Sequence, residues 1–232
     1  MDNFSFKGIS STSFSGIVVN SLPPISKPSK RINKTQIEGR DGDIIEFLGY
    51  EAYDKTITIT ILEETNIDEL INWLNGSGQL ILSNEPTKYY EAEITSQIDF
   101  SRLEKYEEID IKFHIQPYKY KVNEEKTTLE IDSETSLTVT NSGYVESKPI
   151  ITLYGEGTVE IYINNLYAFS INIDDESVVI DAIKEDAYKN TTLKNRQMNG
   201  EFDNIRLQPG ENVITWIGDL TKIEIEPKSR WL

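Results

Sequence analysis

The chain has 232 residues, a formal net charge of −16, no cysteine and one histidine. That length accommodates one large or two modest domains, each with its own core. Disulfides, thiolate nucleophiles and cysteine metal sites are excluded, as is any site needing two histidines, and the acidic balance opposes an open nucleic-acid-binding surface.

From the N-terminus, residues 1 to 20 lack a cationic start followed by an apolar core, so no secretory signal is expected. Phe4 and Phe6 alternate as in a strand, and Ser21-Leu22-Pro23-Pro24 reads as a turn or extended connector. Residues 31–37 and 43–50 flank Gly39-Arg40-Asp41-Gly42-Asp43, whose glycines and Asp-Gly step predict a hairpin tip. Residues 1 to 40 hold six basic residues (Lys7, Lys27, Lys30, Arg31, Lys34, Arg40) against two acidic ones (Asp2, Glu38). A basic arm on an acidic body suits a head-to-tail contact between copies, and equally a solvated loop with no partner. Ile57, Ile59 and Ile61 alternate with Thr56, Thr58 and Thr60, the pattern of a half-buried strand.

The stretch 66–90, NIDELINWLNGSGQLILSNEPTKYY, carries the densest local signal. Asn66 and Glu69 have capping-box spacing, and Ile67, Leu70, Ile71 and Leu74 form an apolar stripe on a helix of about three turns. Gly76 suits the helix end, and Gly78 loosens the turn after it. Leu80, Ile81 and Leu82 suggest a strand buried on both faces, stopped at Asn84-Glu85-Pro86. Trp73 reads as a core anchor, which with Ile67, Leu70, Ile71 and Leu74 forms the expected structural core of this region. Further strands are expected near 79–83, 89–98 and 109–115, with His114 on the face opposite Ile109, Ile111, Phe113 and Ile115.

The polar run Asn123-Glu124-Glu125-Lys126 divides the chain into expected domains 1–125 and 126–232. Beyond it, short apolar runs near 127–132, 135–140, 149–154, 158–163, 166–173 and 177–181, then 205–207, 211–217 and 220–226, predict a β-sandwich. Residues 182–204 read as polar and irregular. No apolar run approaches the length needed to cross a bilayer.

Chemistry is sparse. Paired carboxylates (Glu63/Glu64, Glu107/Glu108, Asp174/Asp175) are common in so acidic a chain and carry no geometry. Asp41 and Asp43 begin like a calcium loop, but Ile45 and Glu46 stand where an oxygen ligand and the glycine belong. Without a phosphate loop, Ser-His-Asp set or zinc spacing, neither enzyme activity, cofactor nor metal is expected.

Four stretches, 4–24, 30–44, 71–92 and 109–120, resemble the N-terminal half of siphophage distal tail proteins. NSGYVESKPIITLYGEG (141–157), NNLYAFSINID (164–174), NRQMNGEF (195–202) and the C-terminal run 207–232 resemble its second half. The resemblance covers essentially the whole chain. It implies a mainly β protein: an N-terminal ring-forming domain with one short helix and an extended β-hairpin arm, then a galectin-like β-sandwich. It implies a virion structural protein of the phage tail tip, made in the bacterial host cytoplasm. Six copies would form a baseplate hub ring joining the tail tube protein to the tail-associated lysin or fibre protein, with tape measure or receptor-binding proteins as further neighbours. DNA would pass through the channel without specific binding, and no membrane insertion is implied. Lys30, Arg31, Lys34, Arg40 and Asp41 are then the expected association residues. The alternative reading is a module that binds host cell-wall glycan or a receptor through the second domain. The histidine, asparagine and arginine of true galectin sites are missing, and Trp216 is the one candidate for sugar stacking, with core packing as its other role.

Overall fold

The computed structural model describes residues 2–62, 65–98 and 107–232. It is mainly β and divides into two compact units, one running to Val122 and one spanning Asn123–Trp231. Each has its own apolar core.

In the first unit, β1 (Phe4–Phe6), β2 (Ile9–Ser10) and β3 (Ile17–Ser21) precede the hairpin β4 (Lys30–Gln36) and β5 (Asp43–Tyr50). β6 (Tyr53–Ile61), helix α1 (Ile67–Trp73), β7 (Gly76–Leu82), β8 (Lys88–Ile94) and β9 (Glu107–Lys121) complete it. The main sheet runs β2-β1-β7-β8-β9-β6-β3, while β4 and β5 pair only with each other. The period-2 patterns decide which face is buried. Ile57 and Ile59 of β6, and Ile111, Phe113 and Ile115 of β9, point inward, and Thr58 and Asp110 meet on the outer face at 2.7 Å.

Helix α1 is shorter than its apolar stripe suggested. Asn66 Oδ1 accepts the Glu69 N–H at 3.4 Å, and the chain re-enters a strand at Gly76. Leu70, Trp73 and Leu74 are buried and Ile67 is half-buried, but Ile71 is 49% exposed and does not belong to the core. Trp73 is the reason. At about 100° per residue, the large indole swings the buried face toward the Leu70–Trp73–Leu74 side and leaves Ile71 roughly a quarter-turn outside it. Similarly, Leu80 and Leu82 are buried while Ile81 is only half-buried, so β7 alternates and is not buried on both faces. Gly78 lies within that strand, where an added Cβ would come 2.5 Å from the Lys7 side chain.

The second unit contains β10 (Thr127–Glu130), β11 (Ser136–Asn141), β12 (Ile150–Ile163), β13 (Leu166–Ile173) and β14 (Ser177–Asp181). β15 (Asp186–Lys189), β16 (Thr192–Leu193), β17 (Met198–Gly200) and β18 (Gly210–Glu226) follow. Three of these short strands fall in the stretch expected to be irregular. Their polar residues follow no apolar alternation, and backbone pairing with β13 and β14 holds them instead. The strands join in one hydrogen-bonded sheet, because β12 and β18 run through a bend and pair on both sides of it. Ile151 and Leu153 before the bend and Val159, Ile161 and Ile163 after it share one core.

Gly218 sits at that bend with φ of 120°, where a Cβ would lie 2.5 Å from the Thr158 carbonyl oxygen. Gly218→Ala is expected to destabilise the second unit by about 1–3 kcal/mol, read by thermal unfolding followed through Trp216 fluorescence. An unchanged midpoint would show that the bend tolerates a side chain.

Among the described residues of this unit, the Gln197 side-chain oxygen is buried without a partner, whereas the buried Asn212 and Ser147 side chains are bonded. The Asn212 amide donates to the carbonyls of Gln208 (2.8 Å) and Gly210 (3.0 Å) and accepts from the Gln208 N–H (2.8 Å). Ser147 Oγ donates to the Pro227 carbonyl at 2.6 Å.

Candidate assembly site

The β4–β5 hairpin is a two-stranded ribbon distinct from the main sheet. Its register places Ile32 opposite Phe47, Lys34 opposite Ile45 and Gln36 opposite Asp43 on one face, with Asn33/Glu46 and Thr35/Ile44 on the other. A bulge near the base makes Leu48 the extra residue. Gly49 there takes φ of 127°, and the Arg31 guanidinium donates to the Leu48 carbonyl at 3.0 Å. Lys30 lies over the Phe47 ring, Phe47 meets Tyr50 edge-on at 5.1 Å, and Tyr50 meets Tyr118 of β9 at 6.0 Å. At the tip, the Arg40 N–H closes a turn onto the Ile37 carbonyl, with Asp41 beside it.

Lys30, Arg31, Lys34, Arg40 and Asp41 therefore all lie on one hairpin, and all are exposed. The basic character expected of that arm is not a property of the whole hairpin. Residues 30–50 contain four basic residues and four acidic ones, Glu38, Asp41, Asp43 and Glu46. Counting charge to residue 40 stops at the tip and omits the acidic returning strand. What distinguishes the hairpin is apolar surface: Ile45 is 61% and Phe47 53% exposed on one face, with Ile44, Leu48 and Ile37 also exposed. Two strands have no interior in which to bury such residues, and apolar surface concentrated in this way marks an interaction site.

A second constellation lies where the hairpin joins the body. Lys55 of β6 and Lys119 of β9 are both buried, as is Glu85 from the turn between β7 and β8. Glu85 accepts from Lys119 (3.0 Å), Lys88 (3.3 Å) and the Tyr90 hydroxyl (2.7 Å). Burial opposes ionisation of Glu85, but the hydrogen bonds from Tyr90 and Lys119 outweigh it and hold the carboxyl below the usual glutamate value. Burial pushes the Lys55 ammonium below the usual lysine range, against the pull of Glu85. Burial, together with the bond to Glu85, pushes the Tyr90 hydroxyl well up. Sequence reading missed this set, although a signal existed. Lys55 shares the parity of Ile57 and Ile59, and Lys119 that of Ile111, Phe113 and Ile115, which makes each a charge on a core-facing position.

The remaining chemical candidates are surface features. His114 pairs with Asp54 at 2.9 Å, and bonds from Lys112 and then His114 lower the Asp54 carboxyl. Asp174 is lowered by hydrogen bonds from Lys194 and Gln197. Glu63 and Glu64 lie outside the described residues, and among those described no group of three potential metal ligands comes together. Trp216 is partly buried and packs against the second core, the packing role expected as its alternative to sugar stacking. No helix among the described residues is long and apolar enough to cross a membrane.

Residues 9–115, most of the first unit, match the family model for the phage tail protein RIFT-related domain. Over its whole length the chain has the fold of phage distal tail proteins. It is similar to the Dit protein of phage SPP1, described as a paradigm of the hub adsorption apparatus in phages infecting Gram-positive bacteria, with TM-score 0.69, 16% identity and 100% of each chain covered. It is also similar to a chain of the phage P2 baseplate in its activated conformation with Ca, with TM-score 0.57, 12% identity and 97% of each chain covered. No curated protein sequence matches it.

Proposed function

We propose that the protein is a structural component of the phage tail tip, six copies of which form a ring that serves as baseplate hub. The ring joins the tail tube to the tail-associated lysin or fibre protein and leaves a channel for DNA. The first unit makes the ring, and its β4–β5 arm lies on the neighbouring copy. The observation that carries this reading is the exposed apolar surface of residues 30–50 on a chain with the distal tail protein fold. Burial of that surface, more than charge, drives the contact, since the arm's charges balance and exposed ion pairs contribute little.

Light scattering on the purified chain, with electron microscopy, is expected to show a sixfold ring. A strictly monomeric particle at tail-assembly concentrations would sink the proposal. Ile45→Ser combined with Phe47→Ser is expected to weaken association on the order of 100-fold or more, from about 1.5–3 kcal/mol per buried side chain. The thermal midpoint of the isolated subunit should stay unchanged, and the wild-type contact should survive added salt. Strong loss of rings in salt would instead favour an electrostatic arm.

A further inference from the structure

The connector of residues 22–29, between β3 and the arm, contains Pro23, Pro24 and Pro28. Proline has no N–H, so such a segment cannot be held by a backbone ladder through its donors; it can be held through its carbonyls. Three of those carbonyls are held in this way. The Asn84 amide donates to the Pro23 carbonyl (3.1 Å), Lys55 Nζ to that of Pro24 (2.7 Å) and the Tyr53 hydroxyl to that of Ser26 (3.2 Å). All three donors belong to the body: two from β6 and one from the β7–β8 turn.

The Lys55 ammonium is the informative member. Glu85 is the only buried carboxylate in its cluster among the described residues, and Lys119, Lys88 and Tyr90 already satisfy it. Lys55 is therefore a second buried cation beyond what that carboxylate requires. It is 2% exposed, lies 5.2 Å from the Tyr90 ring centre and 5.7 Å from that of Tyr53, and makes its one hydrogen bond among the described residues to Pro24. A buried ammonium is unfavourable compared with a hydrocarbon side chain of similar length, unless it is paired and bonded. The partner that repays it here is the connector.

We propose that Lys55, with Tyr53 and Asn84, forms a latch that fixes the direction in which the arm leaves the body. Lys55 is a positioning residue for the arm, and the cluster of Glu85, Tyr90 and Lys119 orients it. The latch orders the arm root before any partner is present, which lowers the entropy lost when the arm docks. It concerns anchorage within one subunit and holds whether or not the chain forms rings.

Because the chain has no cysteine, the test is direct. Spin labels at Glu38→Cys on the arm tip and Asn72→Cys on α1 report the arm-to-body distance by pulsed electron paramagnetic resonance. The full chain is used, with labelled subunits diluted into unlabelled ones. Wild-type Lys55 is expected to give a single narrow distance distribution, and Lys55→Met a broad one with the body's thermal transition retained. A folded Lys55→Met chain with a distribution as narrow as wild type overturns the proposal. If Lys55→Met does not fold, Tyr53→Phe with Asn84→Ala removes two of the three donors without disturbing a charge. Broadening in that pair supports the latch, and an unchanged distribution overturns it.

Discussion

Trp73→Ala is expected to cost the first unit about 3–5 kcal/mol, a large share of the 5–15 kcal/mol that holds a typical domain together. Trp73 is 4% exposed, with its ring stacked on Phe4 at 5.3 Å and on Phe14 at 4.5 Å. Phe4 in turn meets Phe113 edge-on at 5.9 Å, so the indole belongs to an aromatic chain running from α1 through β1 to β9. Alanine leaves a cavity where the indole was and removes the donor at 2.9 Å from the Phe6 carbonyl, which then has a buried acceptor to satisfy. Trp73→Phe keeps an aromatic ring and loses the N–H, so it should cost markedly less. Urea unfolding followed by far-ultraviolet circular dichroism reads both variants, since the substitution removes the unit's own tryptophan. Equal midpoints for wild type and Trp73→Ala would show that the indole is not a core anchor.

Glu85→Gln is expected to be comparably damaging, at about 3–5 kcal/mol, the range for breaking a buried ion pair. Glutamine retains the shape and one acceptor but leaves the buried Lys119 without its paired counter-charge and removes the negative charge whose field offsets the burial of Lys55. The pH dependence identifies the cause. The folded Glu85 carboxyl lies below its unfolded value, so its contribution is complete above the ordinary glutamate pKa of about 4.3 and is lost as pH falls through the folded value. The stability gap between wild type and Glu85→Gln should therefore be full at neutral pH and close on acidification below that point. Taking the difference between the two chains cancels the other carboxylates, which titrate alike in both. A gap that persists unchanged into acid would mean that shape, and not charge, makes Glu85 important.

These two residues differ in how legible they were. Trp73 stood out because a single large apolar residue beside an Asn66-capped stripe has few other uses. The same stripe misplaced Ile71, since periodicity gives a helix's apolar arc but not how one indole rotates it into the core. The arm is readable from Gly39 through Asp43, and so is its neutrality once the charge count runs on through the return strand 43–50, which the structure pairs with the outgoing one at Lys34/Ile45 and Gln36/Asp43. Glu85 was read as part of a strand-ending turn, and nothing local reveals that Lys55 and Lys119, distant in sequence, converge on it. The short strands of residues 186–200 were missed because their pairing is satisfied by backbone groups, and backbone groups leave no apolar signature.

The continuous strands of the second unit bear on how it would respond to mechanical load. Thr127 lies opposite Ile225 in the antiparallel pair of β10 and β18, so the start of the short β10 and the end of the long β18 lie at the same end of the sheet. Tension applied through the backbone at that end would peel the ladder bond by bond, instead of shearing many bonds together. A virion part that withstands pulling through this unit must therefore pass the force across its surfaces, not along its chain.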